Sequence, residues 1–337
     1  MKQKTSWLNS PYSLREKLNF LKYRIEAPCT FNHTNERFEE GRIHHEFSSM
    51  KTDFSIGFIG DFMPYGEGEL VLEQPLLGKL GELDFLVVNV EGVITSQSRY
   101  LALTHRADVV EKMRSLFPCP LIFNVANNHS ADFGEAEFLR HLDVLSVAGD
   151  VVGTDHRPLI LQPGIRLFAS TRWSNQPHCT VAHFDYMDSD TLSALFSPEA
   201  YDLFLPHWGY EMHLYPNDDQ VTMAQRLLFS SSCDAIVGSH PHVPQPLQFY
   251  GDKMVAYSLG NFCFRNVNPN HHFGSLITFQ FALPVGERPV LKSADVVFTH
   301  QTVTPDSISV GLTERLDYFE ARKSMKKGWN LLTDLIK

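Results

Sequence analysis

From Phe54 onward the chain is punctuated by short apolar runs, each closed by a polar or glycine-containing cluster: FSIGFIGD, FLVVNVEG, LIFNVANN, YDLFLPHWG, DAIVGSH and MVAYSLGN. Apolar runs of about four to eight residues, rich in Val, Ile and Phe, read as buried strands because they are too short for a typical globular helix. Between several of them lie stretches with helical spacing. Phe138, Leu142 and Leu145 share one side of the first, and Val221, Ala224 and Leu228 share one side of another that begins near Gln220. Strand and helix alternate, so the fold class is α/β. Two later runs, LITFQFAL and ADVVFTH, have shorter connections and predict an antiparallel or mixed portion.

The ends of the chain differ from this middle. Ser13 and Glu16 have capping-box spacing, and Leu14, Leu18, Leu21 and Ile25 fall on one face, which predicts an amphipathic helix between Pro11 and Pro28. The tail from about Leu312 has helical spacing through Leu316, Phe319, Trp329 and Leu332. The expected organisation is an N-terminal extension over 1–52, a main α/β domain over 53–300 and a helical tail over 301–337 that packs on it.

Composition removes several function classes. Lysine and arginine total 29 against 39 aspartates and glutamates, a formal charge of −10, which argues against a protein that gains affinity by neutralising nucleic-acid phosphates. The five cysteines (Cys29, Cys119, Cys179, Cys233 and Cys263) are scattered and never in CxxC spacing, so no disulfide framework is expected. The N-terminus has no apolar core of signal-peptide length, and no apolar run reaches the roughly eighteen residues of a membrane span. A cytoplasmic location without a membrane span is the expectation.

In open α/β sheets, ligands bind beyond the C-terminal ends of the strands, where loops converge on a rigid edge. The polar clusters of this chain sit at such ends. Asp61 follows FSIGFIG; Asn89 and Glu91 close the second run; Asn127, Asn128 and His129 close the third; His207 closes the fourth; His240 and His242 follow the fifth. Imidazole nitrogens mixed with carboxylate and amide oxygens suit Zn, Mn or Fe, whereas an all-oxygen set would suit Mg or Ca. A carboxylate flanked by such groups is what a binuclear site needs, with ions roughly 3.5 to 4 Å apart that activate a water and clamp the attacking and leaving oxygens. Each piece also has a structural reading: a strand-end Asp as a turn residue, the Asn pair as a turn, His207 as a satisfied core histidine. His240 and His242 would project to one side of an extended segment stiffened by Pro241.

The segments GDFM, NVEGVIT, ANNHSADFG, HWGYE, the block from Gln220 through GSHPHVPQ, and YSLGNFCF occur in the order seen in the CapA family of poly-γ-glutamate capsule synthesis proteins. From about Phe54 to Phe264 the chain resembles that family, whose domain is similar to calcineurin-like metallophosphoesterases. The resemblance implies an α/β/β/α sandwich of two mixed sheets flanked by helices, and a metal-dependent hydrolase of phosphoesterase type with two divalent transition ions (Mn, Zn or Fe). It implies Asp61 as the first-motif aspartate, Glu91 as the bridging carboxylate, and Asn128, His207, His240 and His242 as further ligands. His129, beside Asn128, would be the catalytic acid. The implied substrate is an anionic small molecule or a polyglutamate chain, and the implied partner a capsule-synthase subunit. A non-catalytic accessory protein with a degenerate metal site is the alternative, and a third reading packs the histidines for stability alone.

Two departures bear on this. Met63 stands where such phosphoesterases usually carry a histidine, and Glu91 stands where they carry an aspartate. Arg99, His105, Arg106, Arg172 and Arg265 lie near the motifs as candidate anion holders. Tyr257, Ser258 and Asn261, with a turn at Gly260, are expected to shape the loop under the site, and Glu211 is a stronger rim candidate than His213.

Overall fold

Strand after strand in this chain is apolar on both faces, which requires cover on both sides of each sheet. The computed structural model describes residue 17 and residues 42–314, except 100–101, 163, 177–179, 187, 267–268 and the side chains of 269–270. The helix expected between Pro11 and Pro28, the tail through Leu316, Phe319, Trp329 and Leu332, and Cys29 and Cys179 lie outside the described residues.

The first half of the described chain runs β1 (Arg42–Glu46), β2 (Phe54–Phe62), β3 (Glu69–Leu72), α1 (Gln74–Leu80), β4 (Phe85–Val90), β5 (Val93–Ile94), β6 (Thr104–His105), α2 (Val109–Leu116), β7 (Leu121–Asn124), α3 (Glu135–Ser146) and β8 (Gly149–Val152). Then come β9 (Leu159–Gln162), β10 (Ile165–Thr171), α4 (Ser189–Ser193), β11 (Tyr201–His207), α5 (Asp218–Ser230), β12 (Cys233–Val237), β13 (Leu247–Tyr250) and β14 (Lys253–Ala256). The last strands are β15 (Asn261–Cys263), β16 (Phe273–Ala282), β17 (Val290–Val303) and β18 (Ser307–Thr313).

Apart from β5 and β6, which pair only with one another, these strands make two mixed sheets. The first has the order β3-β18-β17-β16-β2-β4-β7-β8, with β1 on β17 and β15 on β2; the second has the order β13-β14-β12-β11-β10-β9. In the first, β2, β4, β7 and β8 are parallel and β16 returns antiparallel on β2. In the second, β10, β11, β12 and β14 are parallel.

Side-chain alternation assigns the layers. Leu203, Leu205, Ala235 and Val237 point into a core shared with Phe58, Leu86 and Phe123 of the first sheet. Their neighbours Phe204 and Ile236 point the other way, under Met223 and Leu227 of α5. On the far side of the first sheet, Leu76, Met113 and Phe138 bring α1, α2 and α3 onto the same core. The result is the expected helix–sheet–sheet–helix sandwich. Helix α5 starts at a capping box in which Asn217 and Gln220 satisfy one another's backbone N–H groups.

The expected strands and the two helices expected between them, around Phe138 and from Gln220, are present, and the structure adds others. Strands β3 and β9, ELVL and LILQ, are short, partly exposed edge strands. Strand β10 carries Arg166 in its run, a charge it accommodates because Arg166 Nε and Nη2 donate to Asp202 Oδ1 and Oδ2 at 2.7 and 2.6 Å. The main sheet also runs past residues 53 and 300: β1 pairs with β17 from Arg42↔Val297 to Glu46↔Ser293, and β18 lies between β17 and β3. No helix among the described residues is long and apolar enough to cross a membrane. Cys119, Cys233 and Cys263 are buried free thiols.

Candidate metal centre

Parallel strands of both sheets end at one rim, and their last residues face one another there. Asp61 is the penultimate residue of β2, Glu91 follows β4, Asn127, Asn128 and His129 follow β7, His207 ends β11, and His240 and His242 follow β12. Asp61, Glu91, His207 and His240 are fully buried, and Asn128 and His242 nearly so.

The ligand-type atoms form two triads that share one carboxylate. Glu91, His207 and His240 make one, Asp61, Glu91 and His242 the other, with the donor atoms of each within 4.8 Å of one another. His207 Nε2 is 2.8 Å from Asn128 Oδ1 and 3.1 Å from His240 Nδ1. Glu91 Oε1 faces His242 Nε2 at 3.6 Å, His129 Nε2 at 3.9 Å and His207 Nε2 at 4.0 Å. Neither Glu91 oxygen has a hydrogen-bond partner among the described residues. Separations of this size are too long for hydrogen bonds.

The backbone at GSHPHV differs from the sequence expectation. His240 and His242 both have left-handed φ, 96° and 57°, so the segment is not extended but turns twice about Pro241. The two rings lie with centroids 5.8 Å apart and enter different triads. Tertiary contacts hold this conformation, including His240 N donating to Asp61 Oδ2 at 3.3 Å and Met212 N donating to Pro241 O at 2.8 Å.

Electrostatics follow from burial. Desolvation drives the Glu91 carboxyl up to about 8, opposed by His242 and reinforced by Asp61. His242 is also held up, to about 10: burial disfavours its charge, but Glu91 and Asp61 outweigh it. Burial, with the neighbouring rings, pushes His207 and His240 well below the usual histidine range, so both present neutral nitrogens. His129 goes the other way, because the penalty of burial is exceeded by Asp132, whose Oδ2 is 2.6 Å from Nδ1. Asn175 Nδ2 donates to Asp132 Oδ1 at 3.2 Å and so holds that carboxylate in place.

The other sequence candidates separate clearly. Asn89 Nδ2 donates to Asp61 Oδ1 at 2.7 Å and orients it. His105 Nε2 bonds the Glu91 carbonyl at 3.0 Å and is kept neutral, near 4, by burial. Arg99 and Arg265 donate to backbone carbonyls of Asp132 and Tyr65, and Arg106 pairs with Asp108 and Glu67, so these three guanidinia hold loops together. Arg172 lies over the rings of Trp173 and Tyr186. Glu211 is exposed, and its charge is felt by Glu91, His129 and His242. Sequence reasoning did not single out Asp132, Asn175 or His271. The first lies within ANNHSAD, three residues after His129; the others come from separate loops with no motif to mark them.

Residues 190–266, which carry His207, His240 and His242, match the family of bacterial capsule synthesis proteins PGA_cap. The chain is 25% identical over 245 residues to the PGA biosynthesis protein CapA of Bacillus subtilis (strain 168), covering 62% of this chain and 63% of that one. It is 41% identical over 58 residues to the capsule biosynthesis protein CapA of Bacillus anthracis, covering 17% of this chain and 14% of that one. The chain thus spans less than two thirds of the length of either relative. Among solved structures, one described as a novel phosphatase from Mycoplasma pneumoniae is similar with a TM-score of 0.43 and 12% identity, over 74% of this chain and 95% of that one. The likeness to capsule synthesis proteins read from the motifs is therefore found again by direct comparison of the sequences.

Proposed function

We propose that the protein is a metal-dependent hydrolase of the metallophosphoesterase type with a role related to poly-γ-glutamate. The observation that carries this reading is Glu91, a buried carboxylate with both oxygens unpartnered, shared by two groups of ligand-type side chains. A buried polar group without a partner is costly, and divalent cations are the partners that this donor set fits. Asp61, Glu91 and His242 would hold one ion, and Glu91, Asn128, His207 and His240 the other. When bound, such a pair supplies Lewis-acid polarisation and lowers the pKa of water toward neutrality.

The protein's own groups complete the chemistry. Asp132 holds His129 through Nδ1, which leaves Nε2 turned toward Glu91 and the interior of the site. That arrangement favours the protonated ring and would present its proton to a leaving atom, either the oxygen of a phosphoester or the nitrogen of a γ-glutamyl amide. With a formal charge of −10 the chain repels polyanions at a distance, so an anionic substrate is held by the ions themselves. The competing reading, an accessory protein that binds polyglutamate or a synthase subunit, draws on Met63, whose thioether is a poor ligand for a hard cation.

Metal analysis of protein purified without chelators, with assays on bis-p-nitrophenyl phosphate and on poly-γ-glutamate, separates these. We expect about two transition ions per chain and turnover of one substrate that a chelator abolishes. Substoichiometric metal with no turnover on either substrate overturns the enzyme reading.

A further inference from the structure

The two ion positions are unequal. One has four candidate ligands and the other has Asp61, Glu91 and His242, with Met63 two residues after Asp61 carrying only a thioether. We infer that the side-chain amide of Asn261 completes the second position and makes it an oxygen-rich site that prefers a hard divalent cation such as Mn²⁺. This inference rests on the metal reading proposed above.

The geometry is specific. Strand β15 lies parallel to β2 with Asn261 opposite Asp61, which places the two side chains side by side at the rim. Asn261 is 1% exposed, and its Oδ1 is 3.0 Å from His242 Nδ1. The same nitrogen is 3.2 Å from Asp61 Oδ2. One ring nitrogen thus faces two oxygens but carries at most a single proton to share between them. A cation seated among the three atoms would engage all of them.

The amide is also oriented. Asn261 Nδ2 donates to the His271 carbonyl at 3.1 Å, and Gln301 Nε2 donates to the same carbonyl at 3.0 Å. Turning the amide over would press Oδ1 against that carbonyl oxygen, so Oδ1 is the atom that faces His242.

Completed in this way, the second position has oxygens from Asp61, Glu91 and Asn261 and one imidazole from His242. The first has two imidazoles, from His207 and His240, besides Glu91 and Asn128. Oxygen-rich sets favour Mn²⁺ or Mg²⁺, and nitrogen-rich sets favour Zn²⁺ or Fe²⁺.

Equilibrium dialysis of the metal-free full chain against equal Mn²⁺ and Zn²⁺, read by elemental analysis, tests this without any substrate. The wild type is expected to hold Mn²⁺ and Zn²⁺ together. Asn261→Ala is expected to weaken Mn²⁺ binding at least about tenfold and keep Zn²⁺, while His240→Ala loses Zn²⁺ and keeps Mn²⁺. Unchanged Mn²⁺ affinity in Asn261→Ala overturns the inference. If Asn261→Ala folds poorly by circular dichroism, Asn261→Asp decides: a carboxylate in place of the amide should tighten Mn²⁺ by about tenfold, and an unchanged Kd refutes the assignment. A wild type that holds a single ion, lost in His240→Ala and kept in Asn261→Ala, defeats this inference alone. A wild type that binds no ion defeats the metal reading as well.

Discussion

At Glu91, burial and the lack of any donor act in the same direction and push the free carboxyl up to about 8. His242 is held up to about 10 by the charges of Glu91 and Asp61, so the two groups titrate as a pair that retains more protons near neutral pH than a free carboxyl and imidazole would. A cation that enters must displace those protons, so its apparent affinity should rise between pH 6 and 8, with proton release detectable by calorimetry in buffers of different ionisation enthalpy. Pre-ionised ligands would show neither effect. His129 has a different task, and His129→Ala should lower kcat by about a hundredfold or more with metal content unchanged. Asp132→Asn should cost less, about tenfold, by releasing the ring from the orientation set at 2.6 Å, again with KM and metal content near wild type. Loss of metal in either variant would contradict this division of labour. These residues were visible as a set in the sequence because each ends an apolar run. Asp132 and Asn261 were not assigned their places, because their importance lies in partners 3 and 19 positions away in the chain, His129 and His242.

Elements meet at the rim only where side chains are small enough to let them. Strand β15 reaches β2 over Gly60, where a Cβ would lie 2.3 Å from the Gly260 carbonyl oxygen, the acceptor for Asp61 N at 2.8 Å. Gly60→Ala should therefore cost about 1 to 3 kcal/mol of stability and loosen the Asn261 side of the site. Chemical denaturation measures the first effect and Mn²⁺ affinity the second; an Ala variant with wild-type values in both would show that the strands do not need this close approach. The strand bodies were legible in the sequence because each is a short apolar run bounded by polar or glycine-containing residues. The turn at His240–Pro241–His242 was not, because left-handed φ at two histidines is set by contacts to Asp61 and Met212.

Across the whole molecule, the same protons couple the site to stability. Glu91 and His242 bind protons in the folded metal-free protein that the unfolded chain gives up at about 4.5 and 6.5, so folded stability falls as pH rises from 6.5 to 8. Neutral His207 and His240 act below that window, where the unfolded chain gains protons and the folded chain does not. Metal-free protein should therefore melt at a lower temperature at pH 8 than at pH 6.5, and saturating Mn²⁺ or Zn²⁺ should remove that decline and widen the gap between loaded and free forms. A melting temperature independent of both pH and metal would dissociate the cluster from folding.

The alternation of strand and helix, the polar residues at the strand ends and the acidic balance are all written in local periodicity or composition. That the ends of two separate sheets share one rim, that the imidazoles divide between two triads around Glu91, and that an amide from β15 lies beside Asp61 are set by the three-dimensional packing. Those are pairings between residues far apart in the chain, fixed by packing and hydrogen bonding that no local pattern encodes.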